Sequence, residues 1–195
     1  MSYIFKHCHT THISAGFTLI ELMVAIFISA IVLTMAVPSF TATVQNNRVT
    51  AQVNDFVSTL NLARSEAIKR GARVTVCKSA DGSSCDASST GWEQGWIVFV
   101  DSDGDETHDG GETILLTSEG LSEGTTLRGA PSADVNKYVS YRSSGKTTFP
   151  VSGGIVALIL CDPRNDDSVT KAITVAPTGR VSTVPVSSSS LSCSS

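Results

Sequence analysis

The 195 residues carry 14 Lys and Arg against 18 Asp and Glu, a net charge of −4, with five cysteines and four histidines. A chain of this length has room for one anchor helix and one globular domain of modest size, so a single-domain head is the default. The charge is unevenly placed: Ser79–Leu127 holds eleven acidic residues and no Lys or Arg, while Arg48–Lys78 and Arg128–Arg180 on either side are mildly basic.

The first sixteen residues, Met1 to Gly16, contain Lys6 and three of the histidines, His7, His9 and His12. Phe17 to Val37 then forms an apolar run whose only charge is Glu21. As a helix this run is about 30 Å long, the thickness of a bilayer's hydrocarbon core. A carboxylate inside such a segment costs on the order of 3 kcal/mol on insertion scales, so Glu21 calls for a partner. An ordinary secretory signal is the rival reading, with Thr34-Met35-Ala36 as its small-x-small site; it leaves Glu21 and the Gly16-Phe17 junction unexplained.

Gly16-Phe17-Thr18-Leu19-Ile20-Glu21 resembles the processing site of type IV prepilins. That resemblance implies a leader cleaved by prepilin peptidase between Gly16 and Phe17, and N-methylation of Phe17. It also implies an assembly role for Glu21, whose carboxylate would answer the N-terminal amine of a neighbouring subunit. The implied location is the bacterial inner membrane in a single pass with the head in the periplasm, then a pilus or pseudopilus. The implied partners are other major and minor pilins or pseudopilins, prepilin peptidase and the inner-membrane assembly platform.

Pro38 removes a backbone donor and should kink the helix without ending it. Beyond it Val49, Val53, Phe56, Leu60, Ala63 and Ala67 recur at alternating spacings of about four and three, an amphipathic seam. Lys69 and Arg70 suit the negative end of the helix dipole, and Gly71 suits a stop. The whole helix, Phe17 to Arg70, would be roughly 80 Å long. A coiled coil is the alternative, but the seam is short and the strand-rich remainder needs a helix to cover one face.

From Arg73 onward, short β-rich runs are bounded by Gly, Pro, Asp and Ser. Strands are expected near Arg73–Cys77, Trp96–Val100, Thr113–Thr117, Thr125–Arg128, Tyr138–Tyr141, Ile155–Cys161, Ile173–Val175 and Val181–Val184, mostly paired antiparallel. Cys8 lies in the expected leader, so Cys77, Cys85, Cys161 and Cys193 remain, an even set suited to an oxidising compartment. Three connectivities are possible, and nearness in sequence favours Cys77–Cys85 and Cys161–Cys193. A zinc site is disfavoured: no Cys-x-x-Cys pair occurs, and His108 is the only histidine after the leader. The Ser-rich end from Ser187 reads as disordered on composition, except that a bridge at Cys193 would pin it.

Val76-Cys77 with Cys85, Gly95-Trp96-Ile97-Val98-Phe99-Val100-Asp101, Gly145–Phe149, Leu160-Cys161-Asp162-Pro163 and Pro177-Thr178-Gly179-Arg180-Val181 resemble the head of FimT- and FimU-type minor pilins and GspH-type pseudopilins. The resemblance implies an α+β, type IV pilin-like fold: a long N-terminal spine helix whose C-terminal half packs on a head of two small, mainly antiparallel β-sheets. The expected organisation is a leader over 1–16, an assembly half of the helix over 17–38, an amphipathic half over 39–71 and a β-rich head over 72–195.

Catalysis is not expected, since there is neither a Gly-x-Ser-x-Gly elbow nor a phosphate-binding Gly loop. Two binding features remain. Asp101, Asp103, Asp105, Asp109 and Glu112 stand at positions one, three, five, nine and twelve of a calcium loop. Glu106 takes the place of the usual Gly at position six, which favours a solvated hairpin over a cofactor site; no other cofactor or metal is expected. In the FimT group a Gly-Arg-x-Arg turn takes part in DNA binding during natural transformation. Here it reads Gly179-Arg180-Val181-Ser182, which keeps Arg180 and loses the second cation. Arg164, Lys171, Arg142 and Lys146 are the residues that would compensate if the fold gathered them.

Overall fold

The computed structural model describes residues 16–86, 91–122, 124–129, 134–149, 156–164, 169–186 and 193. The expected leader up to Ala15, Ile155 and most of the Ser-rich end lie outside these. The chain forms two units that divide after Val44.

Helix α1 runs over Leu19–Arg70, with its helical assignment continuous through Pro38. It starts where Thr18 caps it, the Thr18 hydroxyl accepting from the Glu21 amide at 3.3 Å and the Thr18 carbonyl from the Leu22 amide at 3.2 Å. A Thr-x-x-Glu opening is a favoured N-terminal signal, and Glu21 lies at the positive end of the helix dipole. It ends at Gly71, whose φ of 65° is the left-handed conformation that glycine adopts without a Cβ penalty.

In the first unit the apolar side chains of α1 face outward: Leu19, Ile20, Met23, Ile26 and Phe27 are each at least 60% exposed. This part of the helix is long and apolar enough to cross a membrane.

In the second unit the same helix becomes one wall of a core. All six seam residues are buried, from Val49 to Ala67. They meet strands β1 (Arg73–Lys78), β2 (Gly95–Asp101), β3 (Ile114–Glu119), β4 (Thr126–Gly129), β5 (Tyr138–Tyr141), β6 (Val156–Cys161), β7 (Lys171–Val175) and β8 (Val181–Pro185). These form two antiparallel sheets of four, ordered β3-β2-β1-β5 and β4-β6-β7-β8. All eight strands fall at the expected places, with boundaries displaced by at most two residues.

Alternation sorts the side chains. On β1 and β2, Val74, Val76, Trp96 and Val98 join the core under the helix, and so do Leu127, Leu158, Leu160, Ile173 and Val175 of the second sheet. Phe56 is the hinge pin of this packing, edge-on to Trp92 at 5.2 Å and to Trp96 at 5.0 Å. Both indole N–H groups are satisfied, Trp92 by the Val135 carbonyl (2.9 Å) and Trp96 by the Thr59 hydroxyl (3.2 Å).

Cys77, Ile97 and Phe99 pack on the opposite face of the first sheet. The disulfide Cys77–Cys85 lies on that face, and Cys161–Cys193 joins Ala172 and Val186 on the outer side of the second sheet.

Candidate functional site

The first candidate is the start of α1. Gly16 and Phe17 precede the helix in exposed chain, with Phe17 80% exposed. An accessible peptide bond outside the helix is what a peptidase needs in order to reach it. Glu21 is exposed in the first turn and has no ion-pair partner among the described residues.

The second candidate is the end of the head at which α1 finishes. Arg73 at the head of β1 pairs with Asp101 at the foot of β2, and Val74 pairs with Tyr141 at the foot of β5. The β2–β3 loop (102–113) and the turn Arg142–Lys146 therefore leave the first sheet at the same end. The β7–β8 turn, Ala176–Arg180, joins them: the Thr147 amide donates to the Pro177 carbonyl at 3.2 Å.

Arg64, on the partly buried shoulder of α1, fastens the two turns together. Its Nε donates to the Gly145 carbonyl at 3.0 Å and its Nη2 to the Thr178 carbonyl at 3.2 Å. Each turn is closed by its own backbone, Gly145 N to Arg142 O and Gly179 N to Ala176 O, both 2.8 Å. Gly179 has φ 80°, and a Cβ there would run into the Gly145 carbonyl and crowd the Arg64 guanidinium. Arg142, Lys146 and Arg180 are exposed on this pair of turns.

The fold does not gather the other two basic candidates. Arg164 lies in the β6–β7 connection at the opposite end, where it holds Asp162 through Nε (2.8 Å) and Nη2 (2.7 Å) and reaches Asn46 Oδ1 at 2.8 Å. That guanidinium keeps the Asp162 carboxyl below the ordinary carboxylate range. Lys171 opens β7 at the far end from the 176–180 turn, opposite Leu160 and Pro185. Sequence reading did not single out Arg64; its signal was a cation set beside the buried Ala63 and Ala67 of the seam.

The β2–β3 loop is the acidic counterpart. Carboxylate oxygens of Asp101, Asp103 and Asp105 lie within 4.8 Å of one another. Asp109 and Glu112 are not part of that group; the Glu112 carboxylate accepts the Ser102 and Asp109 amides (2.6 and 3.2 Å). Asp101 is buried and accepts from the Thr75 hydroxyl and the Gly104 amide, both at 2.7 Å. Glu106, at the position where a calcium loop has glycine, adopts φ 64° and is held by Arg73 at 2.8 Å. Burial raises the Glu106 carboxyl against the opposing pull of Arg73. His108 stacks edge-on against Phe99 at 5.3 Å, so the loop folds back over the sheet.

A capped apolar helix with one carboxylate, whose continuation packs on a head of two antiparallel sheets, defines a pilin-like subunit. The chain belongs to the GspH family of type II transport proteins, whose model matches residues 52–179, and a prokaryotic N-terminal methylation motif matches residues 12–37. Pilins and pseudopilins of this kind are structural proteins rather than enzymes. Among solved structures, the type IV minor pilin FimU of Pseudomonas aeruginosa is similar in two crystal forms. In space group P21 the TM-score is 0.56 at 16% identity, covering 75% of this chain and 96% of that one. In space group P65 it is 0.53 at 16% identity, covering 74% and 98%. The minor pseudopilin EpsH from the type 2 secretion system of Vibrio cholerae aligns at a TM-score of 0.47 and 15% identity, covering 71% and 97%. A search of curated protein sequences returns no match.

Proposed function

We propose that this chain is a minor pilin: cut between Gly16 and Phe17, N-methylated at Phe17, held in the inner membrane with its head in the periplasm, and built into a type IV pilus or the complex that primes it. The observation that carries this reading is Glu21. It is the single charge of the apolar run Phe17–Val37, many of whose large side chains are exposed, and a carboxylate in that setting is tolerable only when a cation answers it. The new amino group of a neighbouring Phe17 is such a cation. Glu21→Ala should therefore be processed normally yet enter filaments at a small fraction of the wild-type level; incorporation at the wild-type level would refute the pairing.

The machine itself is tested by deletion. Loss of surface pili with intact protein secretion is expected, whereas lost secretion with normal piliation would assign the chain to the pseudopilus of a type II secretion system.

A role in DNA uptake is the second reading. It is supported by the pair of turns that presents Arg142, Lys146 and Arg180 together. Three cations make a weak, salt-sensitive phosphate site. A low-salt gel shift that Arg180→Ala weakens would support it, and no shift in either protein would remove it.

A further inference from the structure

The disulfide Cys77–Cys85 is sealed by the sheet on one side only. Cys77 is 1% exposed, paired with Ile97 of β2 and Tyr138 of β5, while Cys85 is half-buried. Over Cys85 lies the β2–β3 loop: the Glu106 carbonyl oxygen is 3.9 Å from Cys85 Sγ, and His108 lies edge-on to Phe99 of the same cluster at 5.3 Å. One cation holds the loop there. Arg73 Nη1 donates to the Gly104 carbonyl at 2.6 Å and to the Glu106 carboxylate at 2.8 Å, and the Gly104 amide is tied to Asp101 at 2.7 Å. Glu106 is the only non-glycine with a positive φ among the described residues. Strain of this kind persists only where the surrounding contacts enforce it. Here it lets one residue give its carboxylate to Arg73 and set its carbonyl against Cys85.

We infer that the β2–β3 loop is a latched guard over this disulfide, with Arg73–Glu106 as the latch and the loop carboxylates as a screen against thiolates. Reduction by a thiol begins when its thiolate attacks one sulfur in line with the S–S bond. A mixed disulfide forms, the Cys77–Cys85 bond breaks, and its electron pair leaves on the other sulfur; a second thiolate then displaces the first as the oxidised reagent. Cys77 is out of reach, so the attack must come at Cys85, where the Glu106 backbone stands in the way. The thiolate must also approach past residues 102–113, which carry five carboxylates and no Lys or Arg. The leaving Cys77 thiolate is disfavoured as well. Burial raises the hydroxyl of its cross-strand neighbour Tyr138, and Glu106, Asp134 and Asp101 add to the rise against Arg73; an anion on Cys77 would sit in the same field.

A closed guard takes Cys77 and Cys85 out of exchange with Cys161 and Cys193, so the native pairing is not reshuffled by thiol reagents once the head has folded. Cys161–Cys193 lies away from the loop, on the outer side of the second sheet, and serves as a control within the same molecule. The inference does not depend on which machine the head serves.

The test exposes the oxidised full-length protein in detergent to 2-mercaptoethanesulfonate, a permanent anion, or to cysteamine, which carries an ammonium group. Freed thiols are alkylated at intervals and assigned by peptide mass. Arg73→Met should open Cys77–Cys85 about tenfold faster with either thiol and leave the Cys161–Cys193 rate within about twofold of the wild type. Asp103→Asn/Asp105→Asn/Asp109→Asn leaves the latch intact and should raise the rate with the anionic thiol about threefold relative to cysteamine. Opening no faster in Arg73→Met overturns the inference. So does equal acceleration of both disulfides, which means a loosening of the head as a whole, and an unchanged ratio of the two thiols in the triple variant overturns the electrostatic part.

Discussion

Gly179 shows how much one missing side chain decides. Its positive φ and the Gly145 carbonyl beside it leave no place for a Cβ, so the two basic turns meet only because residue 179 is glycine. Gly179→Ala should lower stability by about 1–3 kcal/mol, read as a fall in Tm, whereas Arg180→Ala on the exposed side of the same turn should leave Tm nearly unchanged. Asp162 makes a second prediction at this scale. Arg164 holds its folded-state carboxyl below the usual range, so the stabilisation is fully present above the ordinary Asp value near ~4 and is lost as pH falls through the depressed value. Asp162→Asn should be less stable at neutral pH and show a shallower decline in acid titrations; an unchanged acid limb would contradict the pairing.

At the scale of elements, the helix seam was legible because burial against a sheet writes itself as a three-four alternation, and Val49 through Ala67 all proved buried. Each strand was legible as a β-branched or aromatic run between turn residues. Two sheets were expected from the family resemblance alone. Which strands share a sheet was not legible, because β4 pairs with β6 far along the chain, Gly129 with Leu158 and Thr126 with Cys161, and no local signal encodes that choice. The short 3-10 turns Trp92–Gln94 and Asp134–Asn136 were also missed, too brief to show a period. The basic candidates illustrate the same boundary: Arg180 and Arg142 come together through Arg64, while Arg164, equally plausible by charge, is committed to Asp162 at the other end. Phe56, which joins α1 to both tryptophans, carries the strongest packing prediction. Phe56→Ala should cost about 3–5 kcal/mol, measured by denaturant unfolding, and a loss under 1 kcal/mol would show that the helix is not integral to the head's core.

For the whole molecule, two halves with different solvents share one helix. Up to Val44 large apolar side chains of α1 such as Leu19, Ile26 and Phe27 are exposed, while the seam from Val49 to Ala67 is buried in a protein core. A soluble protein would pay heavily for the first half, so it needs lipid or other copies of the same helix around it. The Gly16-Phe17 junction decides whether that helix becomes a filament component or stays a plain anchor, and the most direct measurement is the mass of the mature N-terminus in cells that express prepilin peptidase. A chain beginning at N-methylated Phe17 is expected. A chain that keeps Met1–Gly16, or one cut after Ala36 at the alternative small-x-small site, would contradict the assignment.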